Sequence, residues 1–354
     1  MSLSIGIVGL PNVGKSTLFT ALTRKSVGSS NYPFCTIEPN VGVVPVPDSR
    51  LDRVAEIYRP EKVTPATVEF VDIAGLVKGA NEGEGLGNQF LSHIREVDAI
   101  CEVVRYFTDE NVVHVDGVVN PASDVETIRT ELVLADLGTV ERAVTRLEKE
   151  AKRDKALEPK VGLVKRLQVW LEQGHRAGRI ELADDERALL RDLHLLTMKP
   201  MLYVANVDEV EIGHQEPEID GQVPVSICAR IEAELAELEP EELAEYLEAE
   251  GLEELGLNIL IRSAHALLGL ESFFTGGPKE VRAWTIRKGS TAVEAAGEIH
   301  TDFARGFIKA EVVSFADFDE YGSEAAARAH GRLRIEGRDY LVQDGDVMHF
   351  RFNV

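Results

Sequence analysis

Nine residues near the amino end constrain this chain more than any other feature. Gly9-Leu10-Pro11-Asn12-Val13-Gly14-Lys15-Ser16-Thr17 fits the pattern GxxxxGK[ST]. Its glycines permit a tight loop whose backbone N–H groups surround phosphates, and its lysine reaches the β and γ phosphates of a nucleotide. The pattern carries that meaning only between a strand and a helix. Leu3, Ile5, Ile7 and Val8 supply an apolar run before it, and Leu18, Ala21 and Leu22 fall on one helical face after it. Asn12, Val13, Gly14 and Lys15 are therefore expected to hold the phosphates. Ser16 is the expected Mg2+ ligand, and Thr17 a packing residue with a contact to the α-phosphate.

Further apolar runs at 67–71, 99–104, 201–205 and 223–227 read as strands of a mostly parallel sheet with helical crossovers. Between the runs at 99–104 and 201–205, Leu137, Val140, Val144, Leu147 and Ala151 recur at spacings of three and four, the seam of a helical hairpin or coiled coil. Pro159 marks its expected turn, and Leu163, Leu167, Trp170 and Leu171 continue in a second helix. After Gly276-Gly277-Pro278 the chain changes to short alternating segments punctuated by glycine, a small mixed α/β domain. The fold class is α/β: a P-loop domain at 1–129 and 199–275, an inserted helical arm at 130–198, and a C-terminal domain at 276–354.

Composition sharpens this reading. The formal net charge of −23 excludes a broadly basic, nucleic-acid-wrapping surface, yet residues 142–179 hold 11 Lys and Arg against 5 Asp and Glu. Residues 232–254 carry 11 acidic residues and no basic one. Cys35, Cys101 and Cys228 are too scattered for a disulfide framework or a zinc site. No run approaches the roughly 20 apolar residues of a membrane span, and the first residues lack a basic leader. A cytoplasmic protein without membrane contact is expected.

Asp72-Ile73-Ala74-Gly75 follows a strand and matches a second phosphate motif, with Asp72 organising Mg2+ and the Gly75 N–H sensing the γ-phosphate. Thr36, in Pro33-Phe34-Cys35-Thr36, occupies the place of a switch threonine able to meet metal and γ-phosphate, and the glycine-rich stretch after Gly75 is expected to reorder with the terminal phosphate. Asn206-Val207-Asp208-Glu209 follows another strand where a base-reading NKxD loop would fall. Val207 replaces the lysine and Glu209 the aspartate that would accept from guanine, while Asn206 is suited to a purine N7 or to bracing the P-loop. Ser226-Ile227-Cys228-Ala229 is a weaker fifth element beside the base.

Taken together, GLPNVGKST, PFCTIEPNVG, DIAGLVKGA, NVDE and the terminal FNV resemble the YchF family of Obg-like P-loop ATPases along essentially the whole chain. The resemblance implies a coiled-coil arm, a C-terminal TGS domain, ATP as substrate with Asn206 as adenine contact, and binding to the ribosome, chiefly the large subunit and its rRNA through the basic arm. It also implies a role for His114 in hydrolysis and a potassium site at Asn12. Leu76 stands where many GTPases carry a water-positioning glutamine. A strict GTPase and a ribosome-binding switch with incidental hydrolysis both stay open.

Overall fold

A computed structural model of the chain describes residues 3–27, 40–74, 86–115 and 117–353. They fall into two compact units, 1–43 with 69–260, and 44–68 with 261–354.

The first unit is built on a sheet of β1 (Ser4–Val8), β2 (Val41–Pro45), β4 (Thr67–Asp72), β5 (Ala99–Arg105), β6 (Met201–Asn206) and β7 (Val225–Ile227), in the order β2-β4-β1-β5-β6-β7. β1 runs parallel to β4 and β5, β5 to β6, and β6 to β7. Parallel strands covered on both faces are near-continuous apolar runs. Accordingly Ile5, Ile7 and Val8 of β1 are fully buried, and so is every residue of β5. The helices of this unit are α1 (Lys15–Val27), α3 (Leu86–Glu96), α4 (Pro121–Ala151), α5 (Glu158–Glu172), α6 (Asp184–Leu190), α7 (Ala229–Leu235) and α8 (Pro240–Glu250).

The expected helical insertion lies between β5 and β6, with α4 starting at Pro121, ahead of residue 130. Asn120 caps α4 by accepting from the Ser123 N–H at 3.2 Å, and Pro121 fits the first turn, where no N–H is needed. Val140, Ala143 and Leu147 of α4 pack with Leu163, Val164, Leu167 and Leu171 of α5. Pro159 stands in the first turn of α5, and the chain reverses just before it, where Asp154 accepts from the Ala156 N–H at 3.0 Å. Buried Asp136 accepts from Leu196 N, Thr197 N and Thr197 Oγ1 at 2.7–2.8 Å, which fixes the return into β6. Among the described residues no helix is long and apolar enough to cross a membrane.

The insert is also joined to the sheet by charge. Asp220 accepts from Arg176 Nη1 at 3.0 Å and from the Tyr203 hydroxyl at 2.7 Å, and Arg129 of α4 bonds its other oxygen. Glu102, in register with Tyr203 across β5 and β6, is fully buried, and its Oε1 has no hydrogen-bond partner. Burial pushes its carboxyl up to about 8 against the opposing charges of Arg176 and Arg129.

The second unit holds α2 (Ser49–Tyr58), β3 (Lys62–Thr64), α9 (Gly256–Leu267, entering from the first unit), β8 (Leu270–Thr275), β9 (Glu280–Arg287), α10 (Ala292–Ile299), α11 (Thr301–Arg305), β10 (Phe307–Val313), α12 (Phe315–Tyr321), α13 (Glu324–Ala329), β11 (Arg334–Glu336) and β12 (Val347–Phe352). Its sheet runs β11-β10-β12-β8-β9-β3, mixed in direction. Phe273, Ile286, Phe307, Met348 and Phe350 pack with Ala292, Ala295 and Ala296 of α10. In the last strand Met348 and Phe350 are buried and His349 and Arg351 exposed, but the alternation fails at both ends, where Val347 is buried and Phe352 exposed. The linear boundary at 276 differs from the observed division: β8 precedes it, and residues 44–68 join this unit, where Arg50 binds Asp344 at 2.8 Å. Three residues of β3 carry too little periodicity to announce a strand that pairs with β9, over 200 positions later.

Glu102 supplies a test of the buried network. Its folded-state pKa lies above the ordinary glutamate value, so its contribution to stability is complete below that ordinary value and is lost as pH rises toward about 8. Glu102→Gln cannot ionise. Urea unfolding between about pH 5 and about pH 8 should show the variant gaining on the wild type as pH rises, whereas parallel pH profiles would show that Glu102 does not retain its proton.

Candidate functional site

The P-loop begins where β1 ends. A Cβ on Gly9 would stand 2.6 Å from the Val103 carbonyl oxygen, so only glycine lets the loop cross β5 this closely. Asn12 (φ 63°) and Gly14 (φ 95°) both take left-handed backbone, which turns the chain into α1. The Leu18 N–H bonds the Gly14 carbonyl at 2.9 Å and opens the helical ladder. The N–H groups of Lys15, Ser16 and Thr17 precede that ladder and, with the positive end of the helix dipole, form an anion site.

Lys15 is 8% exposed and its Nζ donates to the Leu10 carbonyl at 3.2 Å. Burial holds its ammonium below the usual lysine range, and Asp72 at the end of β4 opposes that shift. Burial likewise raises the Asp72 carboxyl, with Lys15 acting against it. The two groups are thus near enough for each to act on the other's charge. Ser16 and Thr17 are exposed, so Thr17 takes no part in packing and is available on the loop's open side.

Asn206, the last residue of β6, is buried against this loop. Its Nδ2 donates to the Val13 carbonyl at 2.9 Å and its Oδ1 accepts from the Ala229 N–H at 3.0 Å. A Cβ on Gly14 would lie 2.2 Å from the same Nδ2. One amide therefore joins the P-loop to the fifth sequence element, and it retains one N–H and one lone pair for a further partner. Of the other residues in this motif, Asp208 accepts from Thr108 N and Thr108 Oγ1 at 3.0 and 3.2 Å, and Glu209 lies 3.7 Å from Arg230.

Sequence reasoning passed over Arg105, the last residue of β5. It is 2% exposed, and its guanidinium donates to the carbonyls of Phe107, Asn12, Asp109 and Val112 at 2.9–3.4 Å. The signal was present: Ala99-Ile100-Cys101-Glu102-Val103-Val104-Arg105 holds two charges in a run otherwise fit for a central strand. The loop it anchors also touches the P-loop directly, since Asn12 Nδ2 donates to the Val113 carbonyl at 3.0 Å. His114, to which the resemblance assigns a role in hydrolysis, is buried, and its Nε2 pairs with Asp124 Oδ2 in the first turn of α4 at 3.0 Å.

The structure thus brings together Asn12, Val13, Gly14, Lys15, Ser16, Thr17, Asp72 and Asn206. Thr36, Gly75 and Leu76 lie outside the described residues, as does most of the glycine-rich stretch that follows them.

Removing the Asn206 amide tests whether it holds the loop. Asn206→Ala deletes the bond to Val13 and leaves the buried Ala229 N–H without its acceptor, a loss of about 1–3 kcal/mol. A lowered urea midpoint and faster amide exchange at residues 13–18 are expected. Unchanged exchange there would mean that the P-loop keeps its shape unaided.

Comparison with known proteins agrees with this geometry. Residues 4–155 match the family model described as "50S ribosome-binding GTPase", and residues 270–353 match the C-terminal YchF-GTPase model, described as "Protein of unknown function (DUF933)". The ribosome-binding ATPase YchF of Escherichia coli O157:H7 is 53% identical over 364 residues, covering 100% of both chains. The ribosome-binding ATPase YchF of Bacillus subtilis (strain 168) is 51% identical over 368 residues, again covering 100% of both. The solved structure of the Schizosaccharomyces pombe YchF GTPase matches with a TM-score of 0.90 at 36% identity, over 99% of this chain and 98% of that one. With identity at this level along its whole length, and with a P-loop and an Asn206 brace in the expected places, the chain belongs to the YchF family.

Proposed function

We propose that this chain is a Mg2+-dependent ATPase that acts as a ribosome-associated switch, with water attacking the γ-phosphorus to give ADP and phosphate. The observation that carries the reading is the assembled loop: a P-loop fixed by Asn206, with Lys15 buried in it and near enough to Asp72 for the two charges to act on each other. The relatives named ribosome-binding ATPase extend it to ATP and the ribosome.

Each residue has a defined part. The first-turn N–H groups and Lys15 bind the phosphates, and the lysine charge balances the negative charge that grows on them in the transition state. The hydroxyl of Ser16 and the carboxylate of Asp72 are hard oxygen donors suited to Mg2+, and Thr36 supplies a third. Mg2+ would neutralise phosphate charge. Asn12 turns its Nδ2 to Val113, which leaves Oδ1 as the oxygen for a potassium ion. Gly75 senses the γ-phosphate through its N–H.

Asn206 reads adenine with its remaining N–H. Asp208 is engaged by Thr108 and Glu209 stands beside Arg230, so neither carboxylate offers the lysine-supported aspartate that guanine requires. His114 positions water after leaving Asp124. The helices α4 and α5 form the coiled-coil arm, and Arg142, Arg146, Lys149, Lys152, Arg153 and Lys155 are exposed toward its tip, where they meet rRNA phosphates of the large subunit. Arg176 and Arg179 contribute less, because both bond Asp220. The second unit is the TGS domain, and the protein works in the cytoplasm.

Paired ATP and GTP binding and turnover, with and without ribosomes and separated subunits, test the reading. ATP should bind more tightly and be hydrolysed, and Lys15→Met should lower kcat/KM roughly 10²–10³-fold. His114→Ala should lower kcat with little change in ATP affinity. Preference for GTP would make the chain a GTPase, and ATP binding without turnover on ribosomes would make it a switch with incidental hydrolysis.

A further inference from the structure

We propose that Arg105 is a positioning residue for the P-loop, holding the phosphate cradle and the segment from Phe107 to Val113 as one rigid piece. The proposal rests on the nucleotide site described above and concerns a side chain outside all of its motifs. Arg105 occupies the end of a central strand, and its guanidinium lies 4.3 Å from the centroid of the Phe107 ring.

Its acceptors are all backbone carbonyls, and among the described residues it forms no ion pair. Burying a cation without an opposite charge is costly, so such a group persists where its hydrogen bonds and local field have a use. Here one of those carbonyls belongs to Asn12, 3.4 Å from Nη1, inside the loop that must receive phosphate charge.

The geometry explains why arginine is required. Three nitrogens in a planar fork reach carbonyls at Phe107, Asn12, Asp109 and Val112, which no lysine ammonium can span. Asn12 is gripped at two points, its carbonyl by Arg105 and its Nδ2 by the Val113 carbonyl. That double grip fixes the left-handed peptide at φ 63° from which the remaining N–H groups are aimed. Val113 precedes His114, so the same guanidinium sets where that histidine starts. A movement of the 107–113 segment would consequently be felt in the phosphate cradle.

The test compares wild type, Arg105→Met, Arg105→Lys and Lys15→Met by affinity for a fluorescent ATP analogue and by amide exchange without nucleotide. Arg105→Met should raise Kd about tenfold or more and speed exchange at residues 10–15 and 107–113 together. Arg105→Lys, which keeps the charge and should fold if the Met variant does not, should recover part of the affinity while exchange stays fast in both segments. Lys15→Met should weaken binding and leave exchange at 107–113 unchanged. Wild-type exchange at residues 10–15 in either folded Arg105 variant overturns the proposal. If wild type itself fails to bind ATP or GTP, the nucleotide reading falls, and the paired exchange still decides whether Arg105 joins the two segments.

Discussion

One carboxamide holds the candidate site in register. Asn206 donates to Val13, 193 positions earlier, and accepts from Ala229, 23 positions later, so three segments meet at a single buried side chain. Each contact depends on the sheet order that sets β6 one strand away from β1 across β5. Each also depends on Gly14, because any Cβ there would occupy the space of the amide. Without this clamp the P-loop would be a glycine-containing turn with left-handed residues and few internal restraints. With it, the N–H groups at the start of α1 are arranged before any phosphate arrives, and the cost of ordering them is met in folding rather than in binding.

Charge distribution follows a similar logic. The buried polar groups lie where backbone or insert must be fixed: Asp136 at the return into β6, Asp220 with Arg129 and Arg176 at the root of the insert, and Arg105 behind the P-loop. Solvent-facing charge is segregated instead, acidic along 232–254 and basic toward the tip of α4 and α5. The arginines at the root therefore serve the fold, while those near the tip remain available to a polyanion.

Much of this was legible in the sequence, and the reasons are local. GxxxxGK[ST] between a strand and a helix defines its own geometry within a dozen residues, and the seam from Leu137 to Ala151 announces a packed helix by spacing alone. The strands at 99–104 and 201–205 were evident because parallel strands are apolar on both faces. What escaped was non-local. β3 reveals itself only by pairing with β9, so a linear boundary at 276 could not anticipate that residues 44–68 join the C-terminal segment. Thr17 was expected to pack, yet the turn of α1 leaves it on the open side. The pairing of His114 with Asp124, ten positions later, was not legible either, because it forms only once α4 places that carboxylate beside the ring. Glu102 was read as part of the apolar run at 99–104, and Arg105 fell just past its end, since one charge among five apolar neighbours does not shift the average.

Central to the proposed function is a phosphate cradle at residues 12–17 that Asn206 holds ready-made in the folded chain. A crystal structure with a non-hydrolysable ATP analogue and Mg2+ tests it most directly. It should show the phosphates over the N–H groups of residues 13–17, Lys15 Nζ moved from the Leu10 carbonyl onto them, and the Asn206 bonds to Val13 and Ala229 unchanged. Phosphates bound elsewhere, or an Asn206 side chain released from Val13 when nucleotide binds, would contradict it.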